Sequence, residues 1–258
     1  MKTADKKKRI IENILYPIGT VVAIILVWWL VSAIVNIPLF FPTPWEIVKE
    51  LGNLFAKGEF YVAIGGTLVR ALISFVIAFV FGVGLASVSA LHYPVYRVLR
   101  PIVVILRAIP TMSVILLSVL WLDSFWSPVL IGFLIVFPLI YTGTYEGIGE
   151  IDKDLIVMSK LYKVSKKDML TKLFIPSVTP TILTTSKSAV SLNVKVIIAA
   201  EVIALTATSI GRQMQYAKVY LEVSVLFAWT IIAIILAFLL EGVVSLIQRK
   251  VKKHYDRT

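Results

Sequence analysis

The chain predicts an all-α, polytopic transmembrane bundle of about six spans with both termini cytoplasmic. Three observations carry that expectation. Of its 258 residues, 59% are hydrophobic and only 16% charged, and the mean hydropathy is +0.90, far above that of a water-soluble domain. Several stretches supply the roughly 20 apolar residues that a helix needs to cross a hydrocarbon core about 30 Å thick. The net charge of +11 is concentrated at the edges of those stretches. Residues 1–258 read as a single transmembrane domain, without internal repeats or low-complexity segments.

Spans are expected near 18–35, 68–90, 102–122, 129–145, 176–205 and 223–246. Lys6-Lys7-Lys8-Arg9 precede the first, and Arg249, Lys250, Lys252 and Lys253 follow the last, which places both ends in the cytoplasm. Val31-Ser32-Ala33 resembles a signal cleavage site. Cleavage there would leave five spans and break the charge rule at one end, so the segment is expected to stay as a span. Next, Phe41-Pro42-Thr43-Pro44 makes a rigid extended stretch. Trp45, Val48, Leu51, Leu54 and Phe55 follow at helical spacing, predicting an amphipathic helix on the outer surface.

In the second span, Ser74, Ala78, Gly82, Ala86 and Ala90 recur every fourth residue, a ridge that lets another helix backbone approach closely. Arg97 and Arg100 follow it on the inside. The third span opens with Arg107-Ala108-Ile109-Pro110, where a helix-disrupting proline stands beside a cation. Two outcomes fit, a broken helix lining a pathway or a packed kink. Trp121 and Trp126 bracket a short turn around Asp123, as indoles do at a membrane interface.

From Glu146 to Lys172 the chain turns polar, with acids and lysines interleaved. A first short helix is expected from Asp152, with Leu155, Met158, Leu161 and Tyr162 as one apolar stripe, ending at Lys163-Val164. Ser165 then stands as the N-cap of a second helix, with Asp168 reaching back to complete a capping box. Pro176 lacks the amide that a helix interior needs and is expected to mark the start of the next span or a kink in it.

The fifth span is the most polar, with Lys187, Ser191, Asn193, Lys195 and Glu201. At about 100° per residue, Lys187, Ser191, Lys195 and Glu201 share an arc of roughly 120°, with Asn193 nearly opposite. One polar side facing the bundle interior is therefore expected, and together with Arg70 and Arg107 these charges are the candidates for a translocation path or its gate. The opposing reading is that Lys187 and Glu201 snorkel to opposite surfaces and only Lys195 is deep. The surplus of cations points to an anionic solute.

Several function classes find no support. There is no cysteine, and His92 and His254 lie far apart, so neither thiol chemistry nor a metal site of the usual kind is expected. No nucleophile has a placed histidine, and no Gly-x-x-x-x-Gly-Lys-Ser/Thr loop offers to hold ATP phosphates. The basic ends belong to membrane topology and not to nucleic acid. A self-contained secondary carrier and a membrane-embedded enzyme stay open as alternatives, with the lack of an inverted repeat and of a catalytic cluster counting against them.

Taken in order, the motifs resemble one family. Pro42-Thr43-Pro44, Thr67-Leu68-Val69-Arg70, Arg100-Pro101 and Arg107 to Pro110 are similar to the succession seen in permease subunits of bacterial ATP-binding-cassette importers. The branch is that of sulfonate, taurine, nitrate and thiamine-precursor permeases. Their cytoplasmic signature is Glu-Ala-Ala, three residues, Gly, nine residues, Ile-x-Leu-Pro. Here Val157-Met158-Ser159 stand at Glu-Ala-Ala, Lys163 at the glycine, and Leu173, Ile175 and Pro176 at the end. A lysine where left-handed geometry is needed costs about 1 kcal/mol. Lys187, Ala189, Ser191 and Ala200-Glu201 match the family's Arg-x-Ala-x-Gly and Ala-Glu.

The resemblance implies a type I importer permease in the bacterial inner membrane, surrounded by membrane lipid. It implies that Val157, Met158, Ser159, Lys163, Ser165, Asp168, Leu173, Ile175 and Pro176 form a coupling element for a cytoplasmic ATPase. It also implies an extracytoplasmic solute-binding protein and a second permease, identical or sister. No cofactor is expected on this chain, ATP and Mg belonging to the ATPase.

Overall fold

The computed structural model describes residues 2–37 and 39–255, with side chains over 15–37 and 39–251. The side chains of Lys6 to Arg9, Lys252, Lys253 and His254 lie outside the described residues. Helices α1 (Lys2–Val35), α2 (Pro44–Phe55), α3 (Gly58–Leu91), α4 (Tyr93–Ala108), α5 (Thr111–Trp121) and α6 (Trp126–Gly149) lead into the short α7 (Lys153–Leu161) and α8 (Lys166–Met169). A π-helical turn, Leu170–Phe174, then leads into α9 (Ile175–Ala204), followed by α10 (Ile210–Val219) and α11 (Val223–Tyr255). No strand occurs among the described residues.

Four helices, α1, α3, α6 and α11, are long and apolar enough to cross a membrane, and the α4–α5 pair makes a fifth if taken as one span. Of the two outcomes open for the span over 102–122, the broken helix is the one found. The chain bends by 97° between α4 and α5, because Pro110 cannot continue a helix and forces Ile109 into extended backbone (ψ 130°). Arg107 lies in the last turn of α4, where a cation meets the negative end of the helix dipole. The fifth expected span is present as α9, whose 30 residues give a length of about 45 Å. It does not meet the apolar criterion. Its polar groups Asn193 and Glu201 are tolerated because neighbouring helices enclose them.

Helices α3, α6 and α9 form the centre. The ridge on α3 is a packing seam: Ser74, Ala78, Gly82 and Ala86 are buried, whereas Ala90 emerges at the end of the helix. A Cβ added to Gly82 would lie 2.7 Å from Ile140 Cγ2 and 3.2 Å from the Tyr141 amide nitrogen, so α6 approaches to backbone contact. Where the three helices meet, Asn193 donates from Nδ2 to the Ala71 carbonyl at 2.7 Å, and Ser74 Oγ donates to Asn193 Oδ1 at 3.0 Å. Helix α11 joins this centre through Ala228, Trp229 and Ile232, packed with Phe60, Ile197 and Ile210.

Thr43 and Glu46 form a full capping box at the start of α2. The stripe expected there is rotated: Ile47 and Leu54 are buried and Leu51 half-buried, while Trp45, Val48 and Phe55 are exposed. The reason is tertiary, since α2 turns its Ile47 and Leu54 side toward α11 and α3. Helix α1 lies at the margin, tied by Trp28 Nε1 to the Pro42 carbonyl at 3.2 Å and Ser32 Oγ to the Phe41 carbonyl at 3.1 Å. Asp123 accepts from the Phe125 and Trp126 amides, both at 2.9 Å, and so opens α6 at the expected turn.

Candidate functional site

Arg70 and Glu201 are brought together although 131 residues separate them. Arg70 Nε and Nη2 each stand 2.8 Å from Glu201 Oε1. The other carboxylate oxygen accepts from Thr67 Oγ1 at 2.9 Å and from the Gly211 amide at 3.2 Å. Thr67 Oγ1 in turn accepts from the Ile210 amide at 3.0 Å, and Arg70 Nη2 donates to the Thr208 carbonyl at 3.1 Å. Both side chains are buried, at 2% and 0% exposure. A desolvated ion pair holds only when its remaining groups are satisfied, and here both carboxylate oxygens and the Nε and Nη2 of the guanidinium are partnered. The carboxylate also sits at the start of α10, against the orphan amides and positive dipole of that helix.

The clasp fixes a strained connection. Leu205 and Thr208 adopt left-handed backbone (φ 48° each) between α9 and α10. Ser209 caps α10 by accepting from the Arg212 amide at 2.9 Å. Thr206 Oγ1 donates to the Ser124 carbonyl at 2.7 Å, which links this connection to the α5–α6 turn.

The polar arc expected to face inward on α9 is corrected. Glu201 and Asn193 are both buried, whereas Lys187 and Ser191 are half-buried and Lys195 is exposed. Asn193 and Glu201 are about 80° apart around the helix, so they fit on one inner face. The lysines turn outward because a buried ammonium would need a counter-charge there, and Arg70 already neutralises Glu201. Lys187 finds its partner on α11, with Nζ 3.2 Å from Glu241 Oε1. Arg107 is exposed and makes no ion pair among the described residues.

The cytoplasmic segment folds as a helix, a turn and a helix. Asp152 caps α7 by accepting from the Asp154 amide at 2.8 Å. At its end Lys163 takes left-handed backbone, φ 52°. The Val164 amide donates to the Ser159 carbonyl at 2.9 Å and the Lys163 amide to the Lys160 carbonyl at 3.1 Å. This is the Schellman pattern that usually ends in glycine. Ser165 caps α8, accepting from the Asp168 amide at 3.1 Å. The reciprocal bond differs from the one expected: Asp168 Oδ2 accepts from the Ser165 hydroxyl at 2.6 Å instead of reaching the cap amide.

Asp168 also pairs with Lys172 at 2.8 Å. The bond to Lys172, then that to Ser165, holds its carboxyl below the usual carboxylate range. This pairing favours the fold above that range and is lost as the pH falls through the lowered pKa. Pro176 stands in the first turn of α9. The Ile175 amide donates to the Leu170 carbonyl, one residue further back than in an α-helix, so the helical path widens just before the proline.

Val157 and Met158 are exposed, and Ser159 is half-buried with its hydroxyl on the Leu155 carbonyl at 2.8 Å. The stripe of Leu155, Met158, Leu161 and Tyr162 faces outward, with Leu161 and Tyr162 75% and 78% exposed. Leu173 is half-buried and Ile175 exposed. Sequence reasoning did not find the roles of Gly211, Ser74 and Thr208. A Cβ on Gly211 would lie 2.6 Å from the Val202 amide nitrogen, and no local pattern signals that approach.

The sequence matches the family described as "Binding-protein-dependent transport system inner membrane component" over residues 78–253. It is 26% identical over 240 residues to the taurine transport system permease protein TauC of Escherichia coli (strain K12), covering 90% of this chain and 87% of that one. A putative aliphatic sulfonates transport permease protein, SsuC of Bacillus subtilis (strain 168), is 24% identical over 89% of this chain and 84% of its own length. The fold is similar to that of a chain of the inward-facing MetNI methionine ABC transporter, with TM-score 0.62 and 18% identity over 73% of this chain and 94% of that one.

Breaking the clasp from one side is expected to leave a buried, unpaired charge. Arg70→Met or Glu201→Leu alone should each cost about 3–5 kcal/mol, read as loss of folded protein in detergent unfolding. The Arg70→Met/Glu201→Leu pair should recover most of that loss. A double variant as unstable as the sum of the singles would show that the two side chains act independently.

Proposed function

The chain belongs to the family of binding-protein-dependent transport system inner membrane components, and on that premise we propose that it engages a cytoplasmic ATPase through residues 152–175. It is a transmembrane permease subunit of an ABC importer in the inner membrane, a transport subunit and not the ATPase itself. The same membership sets aside the self-contained carrier and the membrane-embedded enzyme.

One observation carries the coupling reading: the apolar face of α7 is left uncovered by the described residues. Val157, Met158, Leu161 and Tyr162 would enter a groove of the ATPase as an amphipathic helix does. Lys163 and the Ser165–Asp168 cap set the angle between the helices. Ser159 keeps α7 regular, and Leu173, Ile175 and Pro176 carry the movement into α9. ATP and Mg are held by the ATPase. A solute-binding protein delivers the solute from outside, and a second permease, identical or sister, completes the path. ATP binding shifts the spans between inward-facing and outward-facing states to the extent that the ATPase binds the two states differently.

The solute we propose is a small anion of the sulfonate kind. Relatives named for taurine and aliphatic sulfonates support this, as does the exposed Lys195 on α9. Lys195 would meet the anion, with Lys187 and Ser191 on the adjoining arc. Arg107 would stand at the bend of the third span, and Arg70 and Glu201 would hold the gate from within.

Purified from its native membrane, the wild-type chain should bring a Walker-type ATPase with it. Met158→Glu and Leu161→Glu should each weaken that association by about 2 kcal/mol, roughly thirtyfold. Reproducible recovery of the wild-type chain alone would sink the coupling reading. Lys163→Gly should stabilise the turn by about 1 kcal/mol and leave solute-stimulated ATPase activity in vesicles unchanged or higher. Loss of coupling with assembly intact would show that the lysine side chain itself is needed. Lys195→Ala should reduce taurine or alkanesulfonate uptake about tenfold, the scale of a 1.4 kcal/mol contact. Unchanged uptake across a panel of sulfonates would remove Lys195 from the path.

A further inference from the structure

Behind the coupling segment lies a cavity of about 610 Å³ whose walls come from the end of α3, the end of α6, the start of α9 and the inner sides of α7 and the π turn. That is within the range of a site for an organic molecule. The charge distribution places all of these ends on the cytoplasmic side of the membrane. The walls are mainly apolar, with Leu91, Ile148, Phe174, Val178 and Ile182 among them, and Lys153 is the one charged residue in the lining among the described residues. Thr144 lies in the same wall at 1% exposure. Its hydroxyl is buried without a hydrogen-bond partner, which is costly unless something else supplies one.

A second cation, Arg100, lies one aromatic ring behind this wall. Tyr145, which lines the cavity, stacks on Tyr96 at 4.6 Å with the rings 7° apart. The Arg100 guanidinium lies 5.9 Å from the centre of the Tyr96 ring. An apolar chamber opening at the cytoplasmic membrane edge, with cations and hydroxyls at its margin, has the chemistry of a lipid site. A small hydrophilic anion would lose hydration in it without compensating hydrogen bonds. The coupling contact does not compete for the space. Ile156 lines the cavity, whereas Val157, Met158 and Leu161 are exposed on the other side of α7.

We propose that this cavity is a binding site for an anionic phospholipid of the cytoplasmic leaflet, with one acyl chain between α3, α6 and α9 and the headgroup at Lys153 and Arg100. Such a lipid would brace α7 and the π turn from behind. The site does not depend on the solute or on the ATPase contact proposed above, so either can fail without the other.

The test is native mass spectrometry of the protein purified from its own membrane, with whatever subunits accompany it, after exchange into neutral detergent. Phosphatidylglycerol and phosphatidylcholine are then titrated separately. The wild type should retain one tightly held phosphatidylglycerol and no comparable phosphatidylcholine. Lys153→Ala should weaken that retention by roughly fivefold, the scale of one cation near an anionic headgroup, and Lys153→Arg should restore it. Ala90→Trp and Thr179→Trp, which fill the cavity from two different helices, should abolish it. Equal retention of the two lipids by the wild type, or retention unaffected by Lys153→Ala, would mean an annular lipid only and overturn the proposal. Undiminished retention in folded tryptophan variants would do the same. If the tryptophan variants do not fold, the Lys153→Ala and Lys153→Arg pair decides.

Discussion

The buried pair of Arg70 and Glu201 is the interaction on which the arrangement of this bundle rests. One carboxylate oxygen takes the guanidinium of α3, and the other takes a hydroxyl of α3 and an amide of α10, while the side chain itself belongs to α9. Three helices and the left-handed connection at Leu205 and Thr208 are thereby held at one point. In a low-dielectric interior such a pair tolerates little displacement, since each group loses its only counter-charge if the other moves. The clasp thus specifies where α10 starts and how α9 is rotated about its axis. It also explains why the lysines of α9 point away from the centre.

Close helix contact is what allows so polar a helix as α9 to sit in this fold. Small residues on α3 bring α6 to backbone distance, and the polar groups of Asn193 and Ser74 then satisfy one another and the Ala71 carbonyl. The apolar surface needed for contact with lipid is supplied by other helices, above all α1, α3 and α11, which show long exposed apolar stretches. Amphiphilicity is thus distributed between helices rather than within one. This is why a hydropathy count finds α3, α6 and α11 readily and does not find α9.

The cytoplasmic segment combines a rigid inner attachment with an uncovered outer face. Its caps are local: Asp152 for α7, Ser165 for α8, and the Schellman bonds around Lys163 between them. These bonds set the shape of the element even though few of its side chains are buried. The π turn before Pro176 joins it to α9 as a nearly continuous helical path. The segment is therefore attached directly to the helix that carries Glu201, with a cavity behind α7.

Features governed by neighbouring residues were legible in the sequence. The helical class, both ends of the cytoplasmic helix-turn-helix, the Ser165 cap, the left-handed demand on Lys163 and the α3 seam all follow from composition, periodicity and the chemistry of single side chains. The break at Pro110 was marked by its residue type, but the choice between a kink and a 97° bend was not, because the angle depends on how α5 packs against α6. The rotation of α2 and the inner face of α9 were misread for one reason. Periodicity assigns residues to sides of a helix but not which side meets which neighbour. Pairing Arg70 with Glu201 across 131 positions needed the tertiary structure, as did the approach of Gly211 and the cavity behind α7. The sequence by itself determined the local hydrogen bonding and the membrane environment, because those depend on residues within a few turns of one another. The tertiary structure decided which buried charges neutralise each other, because that depends on helix positions that only the packed bundle defines.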